Sequence, residues 1–169
     1  MPKSGAVVIV EQSSGGWREV RRLRSPQPAA YGGFGTQVAS DGRWLAVLAR
    51  QPQGVWVFDL QNLDTAPLEI EGARGFATAV GMLGEQVVVG GQGEARLYRK
   101  QTTWLPVARV AAPAGAADAF SGQIVALGDL IVSTTSGFKT GDGVASPGRV
   151  DVYRRRPTGW KWEARLTPT

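Results

Sequence analysis

The 169-residue chain contains no cysteine and no histidine. The first absence excludes disulfides, thiolate metal sites and sulfur nucleophiles, and it leaves the redox compartment open. The second excludes more: no Ser-His-Asp triad, no His-ligated metal and no imidazole base can be built. No run of eighteen apolar residues occurs, so a membrane-spanning helix is not expected. Only five apolar residues, Ala6 to Val10, follow the opening segment. That is shorter than the apolar region of a secretory leader, so no signal peptide is expected in this chain.

What is present points to a folded domain. Hydrophobic residues make up 43% of the chain, enough for a packed core, and the length suits one domain or a short array of repeats. Lys and Arg exceed Asp and Glu by five, which invites a nucleic-acid reading. The cations are mostly dispersed. Their two densest groups, Arg18, Arg21, Arg22 and Arg24, and Arg154-Arg155-Arg156, fall near the ends of predicted strands. A solvated outer face or edge protection accounts for them; an anionic partner is the sharper alternative. With no basic helical stripe, groove-reading nucleic-acid motifs are not supported.

The main signal is a repeat. An aromatic residue, a β-branched residue four later and a glycine eight later recur as Phe34-Val38-Gly42, Phe76-Val80-Gly84 and Phe120-Ile124-Gly128. A short apolar run follows each glycine: Trp44 to Ala49, Val87 to Val89, and Leu130 to Val132. A further run ends in a large side chain at Phe58, Tyr98 and Tyr153. A fourth element, a tryptophan six residues before Leu or Val, appears at Trp17, Trp104 and Trp160. The first copy of that element lies directly behind Ala6 to Val10, so the array starts half-way through a unit. The runs are short, rich in β-branched and aromatic residues, and bounded by Gly, Pro, Asp or Ser, which predicts strands and turns. The alternations Ala95-Arg96-Leu97 and Val150-Asp151-Val152 have the period of a strand with one buried face. No helical stripe persists over ten residues, so the expected class is all-β.

Four strands per unit of about forty residues is the arithmetic of a β-propeller blade, whose small sheet must lean on neighbours to bury its faces. The predicted organisation is an outer half-blade over 1–28 and blades over 31–71, 74–112 and 118–167. The innermost strands carry Val38, Val80 and Ile124. The second strands are expected to be buried on both faces, as their continuous hydrophobicity suggests.

The segment Phe34-Gly35-Thr36-Gln37-Val38-Ala39-Ser40-Asp41-Gly42 with Leu45-Ala46-Val47 resembles the FG-GAP repeat of integrin-like β-propellers. Gly148-Arg149-Val150-Asp151-Val152-Tyr153 with Trp160 and Leu166 is similar to the bacterial form of that repeat. The resemblance spans nearly the whole chain, although Phe-Gly itself stands only at Phe34-Gly35; the other units read Phe76-Ala77 and Phe120-Ser121. It implies an interaction or adhesion module, extracellular or at the cell surface. The calcium loops of such repeats are not carried over, because the corresponding stretches here offer a single carboxylate, Asp142. No metal or cofactor is expected. A second resemblance, of Asp41-Gly42-Arg43-Trp44-Leu45-Ala46-Val47 and Val55 to Leu60, is to one WD40 blade, and it implies the same architecture.

Three and a half blades leave apolar faces at both ends of the array, and such surface does not stay wet in a stable monomer. Association is therefore expected, as a homo-oligomer or with a complementary propeller chain, and the chain is expected to bind a protein rather than catalyse. The long loop Ser136 to Pro147 is the first binding candidate, with Phe138, Lys139 and Asp142 as an apolar anchor beside charges. The alternative is a lectin-like propeller in which Trp17, Trp104 and Trp160 stack on a glycan; framework packing competes for the same tryptophans. The acidic residues Asp41, Asp59, Asp64, Asp118, Asp129 and Asp142 are expected in turns, capping their own backbone. Gly90-Gly91-Gln92-Gly93 is expected to form a tight hairpin rather than a phosphate cradle.

Overall fold

The computed structural model describes residues 4–135 and 148–167. Among them there are fourteen strands and no helix. A two-stranded sheet, β1 (Ala6–Ser13) and β2 (Gly16–Arg24), is followed by three four-stranded sheets. The second sheet holds β3 (Gln37–Ser40), β4 (Trp44–Arg50), β5 (Gln53–Asp59) and β6 (Leu68–Glu69). The third holds β7 (Ala79–Leu83), β8 (Gln86–Gly91), β9 (Glu94–Lys100) and β10 (Trp104–Ala111). The fourth holds β11 (Ile124–Leu127), β12 (Leu130–Thr135), β13 (Arg149–Arg156) and β14 (Gly159–Leu166). Every sheet is an antiparallel meander in chain order, and none closes on itself.

Turn chemistry sets these hairpins. Asp41 Oδ1 accepts the N–H groups of Arg43 and Trp44, at 2.9 and 2.7 Å, and so turns β3 into β4. The glycine tract after β8 forms a two-residue hairpin, with Gly93 at φ +70°, a conformation that a side chain would strain.

The sheets pack in chain order with one hydrophobic layer between each successive pair. Alternation along the strands feeds two layers at once. Leu45, Val47 and Ala49 of β4 meet Leu23 from the first sheet, while Ala46 and Leu48 meet Val80, Val87 and Val89 of the third. In β5, Trp56 and Phe58 point one way and Val55 and Val57 the other. That double duty is why these strands are apolar at every position rather than at every second one. The layer between the third and fourth sheets contains Val88, Leu97, Phe120, Ile124, Ile131 and Tyr153. The repeat aromatics close the layers: Phe34 meets Phe58 edge-on at 6.1 Å, and Phe120 stacks on Tyr153 at 4.8 Å. At the inner ends Gln37 ties three sheets together. Its Nε2 donates to the Gly122 carbonyl at 2.7 Å, and its Oε1 accepts the Val80 N–H at 3.1 Å.

The fourth sheet departs from two sequence expectations. β12 is not buried on both faces: Ile131, Ser133 and Thr135 are covered, whereas Leu130, Val132 and Thr134 are half-exposed. In β13 the alternation has the opposite phase to the one its apolar residues suggest. Arg149, Asp151 and Tyr153 are buried, and Val150 and Val152 are half-exposed. The physical reason is position in the stack. Among the described residues this sheet has a neighbour on one side only.

Candidate functional site

The ends of the stack are where the chain presents unusual surface. On the open face of the fourth sheet, β11 contributes Val125 and Leu127, which are 65% and 80% exposed. The antiparallel register places Val132 beside Val125, Val152 beside Val132, and Leu130 beside Leu127. Val150 and the exposed Leu166 pair across β13 and β14 on the same face. The result is a nearly continuous apolar sheet face, bordered by Arg154, which binds Asp129 at 2.8 Å and Glu163 at 2.6 Å.

The covered face of the same sheet carries a buried polar cluster beside its apolar layer. Asp151 is fully buried and accepts three hydrogen bonds, from Arg165 Nε at 2.9 Å, Arg149 Nε at 3.0 Å and Trp162 Nε1 at 3.1 Å. Arg149 is buried as well and also pairs with Asp118. Burial alone would raise the Asp151 carboxyl, but the donors from Arg165, Arg149 and Trp162 outweigh it and hold it below the ordinary carboxylate range. Burial pushes the Tyr153 phenol well above its usual value, with the Asp151 charge adding to that effect. The sheet thus buries a polar cluster beside Ile124, Ile131 and Tyr153 on its covered face, while aliphatic groups face water on the other.

The other end mixes apolar and charged side chains, with Val8 paired across the hairpin with Arg22 and Val10 with Glu19. Val7 and Ile9 of β1 pack with Leu23 against the second sheet, while Val8, Val10, Trp17 and Val20 are exposed. The three tryptophans sit at matching places, at or near the start of β2, β10 and β14. Trp104 is 0% exposed, in edge contact with Trp44 at 5.4 Å, in the layer shared with the second sheet. Trp160 is half-buried against the layer shared with the third sheet. Each leans on the sheet that precedes its own. Trp17 has no preceding sheet among the described residues, and it is 69% exposed. The structure therefore does not gather the three onto one accessible face, and Trp104 has no free ring face for a sugar. Phe138, Lys139 and Asp142 lie outside the described residues.

The remaining candidates resolve into local roles. Asp41 and Asp59 cap turns, as the sequence suggests. Asp64, Asp118 and Asp129 instead pair with Arg21, Arg149 and Arg154. Arg18 and Arg22 pair with Glu11 and Glu19, so much of the basic group on β2 is neutralised within the chain. A groove of about 400 Å³ runs along the inner strands, lined by Thr36, Gln37, Val38, Val80, Gln123 and Val125 among others. None of its lining residues is titratable, so it holds no acid or base. Among the described residues no three acidic residues converge on a cation position, and no helix is long and apolar enough to cross a membrane. The aliphatic open face and the buried Asp151 cluster are not evident in the sequence. Their one signal was Asp151 between two valines, opposite Ser133, with the apolar side left over.

No protein-family model and no curated protein matches the chain. Among solved structures it is similar to a chain of an S. cerevisiae assembly, a dbp5 variant bound to nup159, a gle1 variant, IP6 and ADP. The TM-score is 0.57 at 10% sequence identity, over 89% of this chain and 40% of that one. This chain thus spans about two-fifths of the length of the solved chain it matches, and the likeness is one of fold.

Proposed function

We propose that the chain is a non-enzymatic β-propeller module that binds protein through the open faces of its terminal sheets, completing a larger propeller by self-association or with a complementary chain. The supporting observation is the aliphatic open face of the fourth sheet. A sheet face meant for water carries polar residues at alternate positions, whereas Val125, Leu127, Leu130, Val132, Val150, Val152 and Leu166 are aliphatic. The second and third sheets, covered on both sides, display the same aliphatic composition, so the open face has the chemistry of a buried layer. The serial packing and the meander order fit an arc of propeller blades.

Leu127→Glu tests this reading. At 80% exposure the substitution should leave the fold of one chain within about 0.5 kcal/mol. In an assembled face it strands a carboxylate in an apolar layer and should release chains of 17.9 kDa. Sedimentation equilibrium reads the difference. A wild-type protein that is monodisperse at 17.9 kDa and melts cooperatively would reject association as the function of this face.

A further inference from the structure

The turns at one end of the second and third sheets gather a polar groove that none of the roles above uses. Beside the β4–β5 turn it encloses about 370 Å³, lined by Arg50, Gln53, Thr78 and Ser121 among others. Gln53 and Thr78 also wall an adjoining hollow of about 410 Å³, bounded by Arg74, Phe76, Gln92 and Arg96. Three arginines therefore line the groove, and no acidic residue does.

The three cations are not equivalent. Arg74 pairs with Glu69 at 2.7 Å, and Arg96 pairs with Glu94 at 2.7 Å. Arg96 also lies over the Phe76 ring, 4.0 Å from its centre. The Arg50 guanidinium has no hydrogen-bond or ion-pair partner among the described residues. Its stem is nonetheless placed. A Cβ on Gly33 would lie 3.3 Å from Arg50 Cβ, and the Gly32 carbonyl accepts the N–H groups of Arg50 and Gln51 at 2.9 Å each. Tyr31, which precedes these glycines, has left-handed backbone at φ +57° and is 79% exposed, so no burial of its ring offsets the strain. Strain of this kind concentrates where ligands are held.

We infer that this groove binds an acidic peptide segment of a partner protein, with one carboxylate seated on Arg50. Charge complementarity selects the occupant. With Arg74 and Arg96 already countered, the uncompensated charge in the groove is that of Arg50 alone, which matches one carboxylate. A nucleic-acid strand instead gains its affinity by having several phosphates neutralised together. A base would also need an open ring, and the face of Phe76 is covered by Arg96. The acceptors on the floor are in use: Gln53 Nε2 donates to the Ala77 carbonyl at 2.6 Å, and Thr78 Oγ1 donates to the Phe120 carbonyl at 3.1 Å. What the groove offers is a cationic donor, with room on the Arg96 side for the residues that flank the carboxylate. The site stands apart from the terminal sheet faces and does not need them to assemble.

The probes are a short Gly/Ser peptide with one central glutamate, the same peptide with glutamine in its place, and oligouridylate, each titrated into the whole chain. Backbone amide shifts in an NMR titration read both place and affinity. The glutamate peptide should shift Arg50, Gln53 and Thr78, bind about tenfold tighter than the glutamine peptide, and weaken as salt is raised. Arg50→Gln should reduce that affinity by about tenfold with the melting temperature of the free chain unchanged, because the side chain is exposed. Arg43→Gln removes the same charge at the opposite end of the second sheet, in the β3–β4 turn, and should leave binding unchanged. Equal binding of the two peptides, no shift at Arg50, equal losses in the two variants, or tighter binding of oligouridylate would each overturn the site. Leu127→Glu is read on another face, so either result can stand when the other fails.

Discussion

Asp151→Ala is the perturbation whose cost can be worked most directly from the geometry. The carboxylate is fully buried, and its removal takes the acceptor from Arg149, Arg165 and Trp162 together. Breaking a buried ion pair by deleting one partner costs about 3–5 kcal/mol, because the other charge is left without compensation. Two details place this case at the low end. Arg149 keeps Asp118, and the Arg165 side chain is about one-third exposed and can rehydrate. The expected loss is about 3 kcal/mol, or roughly 6–12 °C in melting temperature for a chain of this size. The pH dependence supplies an independent check. The folded Asp151 carboxyl is held below its ordinary value of about 3.9, so the unfolded chain binds the proton more tightly. The stabilisation is complete above that ordinary value and fades as pH falls through the lower folded one. Urea titrations followed by tryptophan fluorescence, repeated from pH 7 down to pH 2 at two protein concentrations, read both quantities. The Ala variant should be weaker at pH 7 and should show a flatter acid limb. A loss under about 1 kcal/mol at pH 7, or an unchanged acid limb, would refute the claim that the covered face of this sheet is held by Asp151.

Two further contrasts test the packing. Trp104→Ala should cost about 3–5 kcal/mol in urea unfolding, whereas Trp17→Ala should fall within about 0.5 kcal/mol, since one side chain is enclosed and the other mostly in water. Equal costs would contradict the placement of the two rings. Gly90→Ala should destabilise by about 1–3 kcal/mol in the same assay, because its Cβ would sit 2.7 Å from both the Phe120 carbonyl oxygen and Ile124 Cδ1. Gly15→Ala, with no atom within 4 Å of the added carbon, is the matched control and should be neutral.

The strand inventory was legible because the repeat fixes it several times over. Phe34, Phe76 and Phe120 mark equal places, turn glycines and Asp41 separate the runs, and the half-unit at Ala6–Arg24 is visible from the position of Trp17 alone. The phase of a strand is harder to read than its period. Val150-Asp151-Val152 announces an alternation of two, but which residues point inward depends on which side has a neighbour, and that is a property of the stack. The tryptophans show the same limit. Trp17 and Trp104 occupy equivalent places with opposite exposure, because what lies in front of each ring belongs to another sheet. The covered polar group was dispersed in sequence across Asp118, Arg149, Asp151, Trp162 and Arg165, with no spacing to join them before folding.

The two-layer duty of β4 and β5 constrains how such a chain can change over time. Inserting or deleting one residue inside β4 would exchange the contents of two hydrophobic layers along the rest of that strand, sending Val47 where Leu48 belongs. A gain or loss of residues in the turns leaves both layers intact. Length variation should therefore collect between strands, and growth or shrinkage of the array should proceed by whole sheets.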